Sequence, residues 1–156
     1  MKRLDPASED SRCEWNEALA RLCGMNHWAH WHCHACGHDW VRESKNRPCP
    51  QCAVTYSQAR VEFLSVPDFF AGLNADGTCN EALVDGDLLW RVMRAVWAKV
   101  LNLEIEKKFA SLQWRVWVEP DPATLFGRGW GTSLHPIVAL ALAAHEAGLL
   151  EEKANG

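Results

Sequence analysis

No apolar run in this chain is long enough to cross a bilayer, which takes about 20 residues. The longest, IVALALAA, is broken by His145 and Glu146. The first residues, MKRLDPASEDSR, have no apolar stretch behind their basic side chains and do not read as a secretory leader. Strong charge of either sign is missing too: the net charge is -4 and the pI about 6.0, so nothing draws the whole molecule to nucleic acid or to an acidic membrane. Enzymatic constellations are also scarce. A hydrolase or transferase needs a nucleophile beside a base, or paired carboxylates in a pocket. The acidic pairs Asp85 with Asp87 and Glu119 with Asp121 sit in the turn-like contexts DGD and EPDP, which account for them without catalysis. These absences predict a soluble protein that works by binding and is not an enzyme.

What remains is enough for one ordinary core and a small satellite: 156 residues, 48 % hydrophobic and 23 % charged. Charge is uneven along the chain. Residues 1–60 carry eight Lys/Arg against seven Asp/Glu, and residues 61–156 carry eight against thirteen, so an anion-seeking surface belongs in the first part.

Seven cysteines, without a leader, point to a reducing compartment such as cytoplasm, where thiols bind metal or stay free. Four of them fall in HWAHWHCHACGHDWVRESKNRPCPQC, residues 27–52, as the pairs Cys33/Cys36 and Cys49/Cys52. Each Cys-x-x-Cys turn can offer two thiolates to one ion, and two such turns complete a tetrahedral zinc shell. Gly37 can take the left-handed conformation that turns backbone N–H groups toward the sulfurs. A redox pair is the poorer reading, because it needs a single Cys-x-x-Cys opening a helix. A mixed site with His32, His34 or His38 replacing a cysteine is the other alternative. Four thiolates leave no coordination position for substrate, so the expected zinc is structural.

The segment WHCHACGHDWVRESKNRPCPQC resembles small zinc-ribbon modules, with a Trp-x-Cys-x-x-Cys-Gly-His-x-Trp first knuckle and a Cys-Pro-x-Cys second knuckle. The resemblance implies that Trp31 and Trp40 flank the knuckle. Ala53 stands where many second knuckles carry glycine. Trp28, with Arg42, Lys45 and Arg47, forms a candidate partner-binding group, since aromatic faces beside cations suit base stacking and phosphate contact. Three cations are a small phosphate footprint, and a unit of this size has little core beyond its metal site.

Outside that segment, SEDSRCEWNEALARLCGM reads as one helix ending at Gly24, with Cys13 and Cys23 as apolar filling. Residues 59–87 read as a strand and an extended loop; NADGTCNE fails as a calcium loop because Gly72 and Leu83 fall where carboxylates are needed. DLLWRVMRAVWAKVL predicts an amphipathic helix with Leu89, Val92, Met93, Val96, Trp97 and Val100 on its core stripe, and Trp90 and Trp97 packed. NLEIEKKF and SLQWRVWVEPDP predict a β-hairpin turning near Ala110 and Ser111, with Trp117 on the otherwise polar face. Gly127, Gly129 and Gly131, followed by Thr132 and Ser133, predict a turn leading into a helix whose first turn contains Pro136. That turn is also a candidate small-ligand or nucleotide site, although it lacks the P-loop lysine. His145 and Glu146 read as solvated.

WRVWVEPDP followed by FGRGWGTSLHPIVALALAAHEAGLL resembles the end of small phage and prophage proteins of the phage ABA sandwich family, and LARLCGMNHW is similar to that family's first helix. The resemblance implies a phage-encoded accessory protein in the host cytoplasm, one acting on a host-defence component such as a CRISPR system, with the ribbon inserted after the first helix. The expected fold is α+β: an N-terminal helix over residues 1–26, a zinc ribbon over 27–57, and an α/β/α sandwich-like domain over 58–156 with two to four antiparallel strands. The expected partner is a protein, met by the ribbon and Trp117. Nucleic acid on the ribbon, or a small ligand on the glycine turn, are the alternatives.

Overall fold

The computed structural model describes residues 1–25, 28–43, 48–53, 57–60 and 66–150. The chain forms two compact units, one of Met1–Gly24 with Pro67–Gly156 and one of Met25–Val66. The architecture is α+β, with two three-stranded antiparallel sheets, one in each unit.

In the larger unit, helix α1 (Glu9–Leu22) begins where the Ser8 hydroxyl accepts from the Ser11 N–H, and it stops at Gly24, whose φ of 65° no helix continues. Its inward face is Trp15, Ala18 and Leu19. Trp15 is fully buried, donates from Nε1 to the Lys2 carbonyl at 3.1 Å, and meets the His145 ring edge-on at 5.2 Å. The other polar residues of α1 hold a loop. Arg12 donates to the carbonyls of Leu73 and Phe70, and Asn16 accepts from the Phe69 N–H at 3.0 Å. These bonds seat Phe69 and Phe70 in the core, where each buried ring contributes roughly 1.5–3 kcal/mol. Cys13 is exposed, not the core filling its helical context suggested. Cys23 is half-buried, and burial pushes its thiol up to about 11 against the pull of Arg91, so it stays protonated at neutral pH.

Helix α2 (Gly86–Trp97) is capped by Asp85, whose carboxylate accepts from the N–H groups of Asp87 and Leu88. It buries Leu88, Val92 and Val96 at i, i+4 and i+8. Trp97 lies about 100° round the helix from Val96, off that buried row, and points away from the core. Trp90 is 53 % and Trp97 60 % exposed, which corrects the expectation that both pack inward.

The sheet of this unit runs β4 (Val100–Lys108), β5 (Gln113–Pro120) and β6 (Gly129–Ser133), in that order. The β4–β5 hairpin pairs Ile105 with Val116 and Leu103 with Val118. It turns through residues 109–112, with Leu112 at a positive φ of 54°. The expected glycine turn is instead strand β6, pairing Trp130 with Trp117 and Gly131 with Val116. Helix α3 (Pro136–Glu146) lies directly on it. A Cβ at Gly129 would overlap the Ala143 carbonyl, and one at Gly131 the Ala139 carbonyl and the Ala143 N–H. Alternating glycines therefore let a strand and an alanine-rich helix touch backbone to backbone. Glu146 and His145 are not simply solvated: Glu146 accepts from the Trp130 N–H at 3.4 Å and His145 covers Trp15. Val116 and Val118 are buried under α3, while Trp117 and Trp130 stand exposed on the opposite face. Helix α1 touches α2, and α2 touches α3. Among the described residues α3 packs on β5 and β6, and α2 on β4 and α3, so that this unit is α+β around one three-stranded antiparallel sheet.

The start of α3 has a cap that the sequence conceals. His135 is fully buried, and its Nδ1 accepts from the N–H groups of Ile137 and Val138. Nδ1 must therefore be unprotonated, and Nε2 carries the hydrogen, donating to the Ala71 carbonyl at 2.9 Å. Burial lowers its pKa below the ordinary 6.5, helped by Arg12 and opposed by the Ala71 carbonyl and Asp68. A base whose folded pKa is depressed gives its full contribution above the unfolded value and loses it as pH falls. Stability should thus decline as the pH drops below about 6.5. His135→Asn, which keeps a capping acceptor, should flatten that part of a pH series of unfolding midpoints. An unchanged slope would show that His135 does not cause it.

Candidate functional site

The smaller unit builds its sheet in the order β2 (Asp39–Glu43), β1 (Trp28–Cys33), β3 (Ser57–Arg60). β1 pairs antiparallel with both neighbours: Trp31 faces Trp40 in β2 and Ala59 in β3. β1 ends at Cys33, and the chain turns through Cys36 before β2. The first turn is closed by the Gly37 N–H on the Cys33 carbonyl at 2.8 Å, with Gly37 at φ 73°. The second repeats it: the Ala53 N–H reaches the Cys49 carbonyl at 2.8 Å, with Ala53 at φ 61°. Two equivalent turns, each ending in a left-handed residue, thus present four sulfurs.

The Sγ atoms of Cys33, Cys36, Cys49 and Cys52 all lie within 4.8 Å of one another. Cys33 and Cys52 are 3.5 Å apart, Cys36 and Cys49 3.7 Å. Four sulfurs at tetrahedral zinc, each about 2.3 Å from the ion, would be about 3.8 Å apart. The donor set therefore fits a single metal ion of that size. The sulfurs also polarise one another. The Cys36 N–H, opposed by burial and helped by the Ala35 N–H, draws the Cys33 thiol down to about 6. The His38 N–H pulls the same way on Cys36, yet burial and the sulfurs of Cys33, Cys52 and Cys49 together push it up to about 12. A second thiolate in this cluster needs a cation, which is the electrostatic demand that a metal meets.

His32, His34 and His38 are not among the grouped donors. Among the described residues the grouping holds cysteines alone. His32 directs Nδ1 to the Asp39 carboxylate at 2.6 Å, and its ring meets that of His34 edge-on. Trp28 pairs with Glu43, and Arg42 with Ala29, on adjacent strands. Lys45 and Arg47 lie outside the described residues.

Ala53 makes a local prediction. An L-residue in the left-handed region costs roughly 1–2 kcal/mol. Ala53→Gly should relieve most of that and, through the second knuckle, tighten metal binding several-fold in a chelator competition. Weaker binding would show that the Ala53 side chain supports the turn.

The other candidate residues are placed elsewhere. Trp117, 41 % exposed, meets Trp130 edge-on at 5.2 Å on the open face of the larger unit's sheet, with Arg115 lying 6.0 Å over the Trp130 ring. Gly129, Gly131, Thr132 and Ser133 belong to β6. The Gly127 N–H is bonded to the Ala147 carbonyl, and the Ser133 hydroxyl accepts from the His135 N–H. The first free N–H groups of α3 are taken by His135, so this segment presents no bare helix N-terminus to a phosphate. Asp121 accepts from the Ala123 N–H, closing the turn after β5. Missed by sequence reasoning were His135, Trp15 and the Trp117–Trp130 pair. The pair required knowing that Gly129–Ser133 is a strand beside β5. No helix of the described residues is long and apolar enough to cross a membrane. No family model, curated protein or solved structure matches this chain.

Proposed function

We propose that this is a non-enzymatic, zinc-stapled binding protein of phage type, acting in the cytoplasm of a host cell on a protein component of host defence. The observation that carries the metal part is the four-sulfur cluster, whose spacing suits zinc and whose closed shell would leave no position for substrate. Zinc there is a staple for a unit that has little other core. Support for the binding part is the open sheet face carrying Trp117, Trp130 and Arg115, residue types that dominate the energetics of protein interfaces. The phage part of the reading rests on the sequence resemblance of WRVWVEPDP and FGRGWGTSLHPIVALALAAHEAGLL to that family.

The test is capture of proteins from a bacterial lysate by the zinc-loaded chain, beside Trp117→Ala and a paired Arg42→Ala, Arg47→Ala variant. One protein retained by the parent and lost with either variant is the expected result. Retention of nucleic acid alone, released steeply by salt and lost with the Arg42→Ala, Arg47→Ala variant, would instead assign the ribbon cations to phosphate.

A further inference from the structure

The outer face of α2 carries a cleft that this reading does not use. Trp90, Arg94 and Trp97 lie at i, i+4 and i+7, within one narrow stripe of the helix, so that the backbone positions of the two tryptophans are about 10 Å apart along its axis. With Ala98 they line an open cleft of 390 Å³. Both indoles are more than half exposed. Among the described residues the Arg94 guanidinium carries no ion pair or hydrogen bond. Two large apolar rings and an uncommitted cation on one helical face are costly to leave unpartnered, and together they set the chemistry of what fits. The indole faces accept a flat π-system, and the guanidinium accepts an anion beside it. Arg91 and Lys99 are near in sequence, in a chain that is acidic overall, but Arg94 is the cation that lines the cleft.

We propose that the Trp90–Arg94–Trp97 cleft binds nucleotides, a base stacking on indole while its phosphate meets Arg94. A ligand with a flat base beside an anion meets one indole and Arg94 at once, and a second base can reach the other indole. One cation beside two indoles suits a mononucleotide or a short single-stranded segment; a duplex, with its stacked bases turned inward, offers the cleft only phosphate.

The zinc-loaded full chain would be titrated with thymidine monophosphate and with a short oligothymidylate, followed by tryptophan fluorescence. Both probes should quench it. If the natural source is a single strand, the oligonucleotide binds more tightly, with a slope of log K against log salt between about -0.7 for the Arg94 contact alone and about -2 if Arg91 and Lys99 also reach phosphate. If the source is free nucleotide, the two bind alike. Trp97→Ala should weaken binding about tenfold and Arg94→Glu should abolish it, with Trp97→Phe restoring most of the affinity. Both positions are exposed, so thermal unfolding should be unchanged. Removing Arg42, Lys45 and Arg47 together should leave this binding as it was. The proposal is overturned if neither probe quenches, which would leave the face to a protein partner. It is equally overturned if the α2 variants bind like the parent, or if only the ribbon variant loses binding.

Discussion

Stripping metal from the four-cysteine cluster should unfold the unit of residues 25–66 while the larger unit stays folded. The smaller unit has a three-stranded sheet and four sulfurs that repel one another once ionised. Zinc bound by such a cluster is worth on the order of 10 kcal/mol or more at neutral pH, far beyond what so small a core supplies. The larger unit has its own core of Trp15, Phe69, Phe70, Val92, Val116 and Leu140, and none of these depends on the ion. Chelation, or Cys49→Ser, should therefore abolish amide protection in β1 and β2 and leave that of β5 and α3 intact. Hydrogen exchange read by segment distinguishes the two. Uniform loss of protection would mean that the metal site supports the whole chain, and no loss would mean that it supports nothing.

The second large effect lies at Gly131. A methyl group there meets backbone on the facing helix, the Ala139 carbonyl and the Ala143 N–H, neither of which can rotate away. The strand and α3 must separate, uncovering Val116 and Val118, or the ladder to β5 must break. Gly131→Ala should cost about 3 kcal/mol, lowering the melting temperature of the larger unit by on the order of 10 °C. Gly127→Ala, whose Cβ would meet open space, is the control and should change little. Equal melting of the two variants would show that the glycines act through chain flexibility and not through contact.

These two sites mark where sequence was and was not enough. The four-cysteine cluster was legible because its chemistry is local: paired cysteines at fixed spacing identify themselves without knowledge of the fold. Helix α1 was legible from Ser8 and Gly24, and the β4–β5 hairpin from its alternation of apolar with charged residues. Strand β6 was not, because glycine has little preference for strands and ordinarily marks turns. The reason for Gly129 and Gly131 sits across space, on Ala139 and Ala143. His135 was hidden likewise, since imidazole is an unusual helix cap, and its second partner, the Ala71 carbonyl, is far away in sequence. Trp97 was misplaced because the pattern put it on one core stripe with Val96, whereas the buried row is Leu88, Val92 and Val96 and leaves Trp97 facing outward. Its exposure, with that of Trp90, is what opened the cleft on α2.

The central claim is that four sulfurs and no histidine hold one zinc ion. X-ray absorption at the zinc edge of the purified chain, with zinc content measured on the same sample, tests it most directly. The account predicts about one zinc per chain with four sulfur neighbours at about 2.3 Å. A shell containing nitrogen, or far less than one zinc per chain, would contradict it.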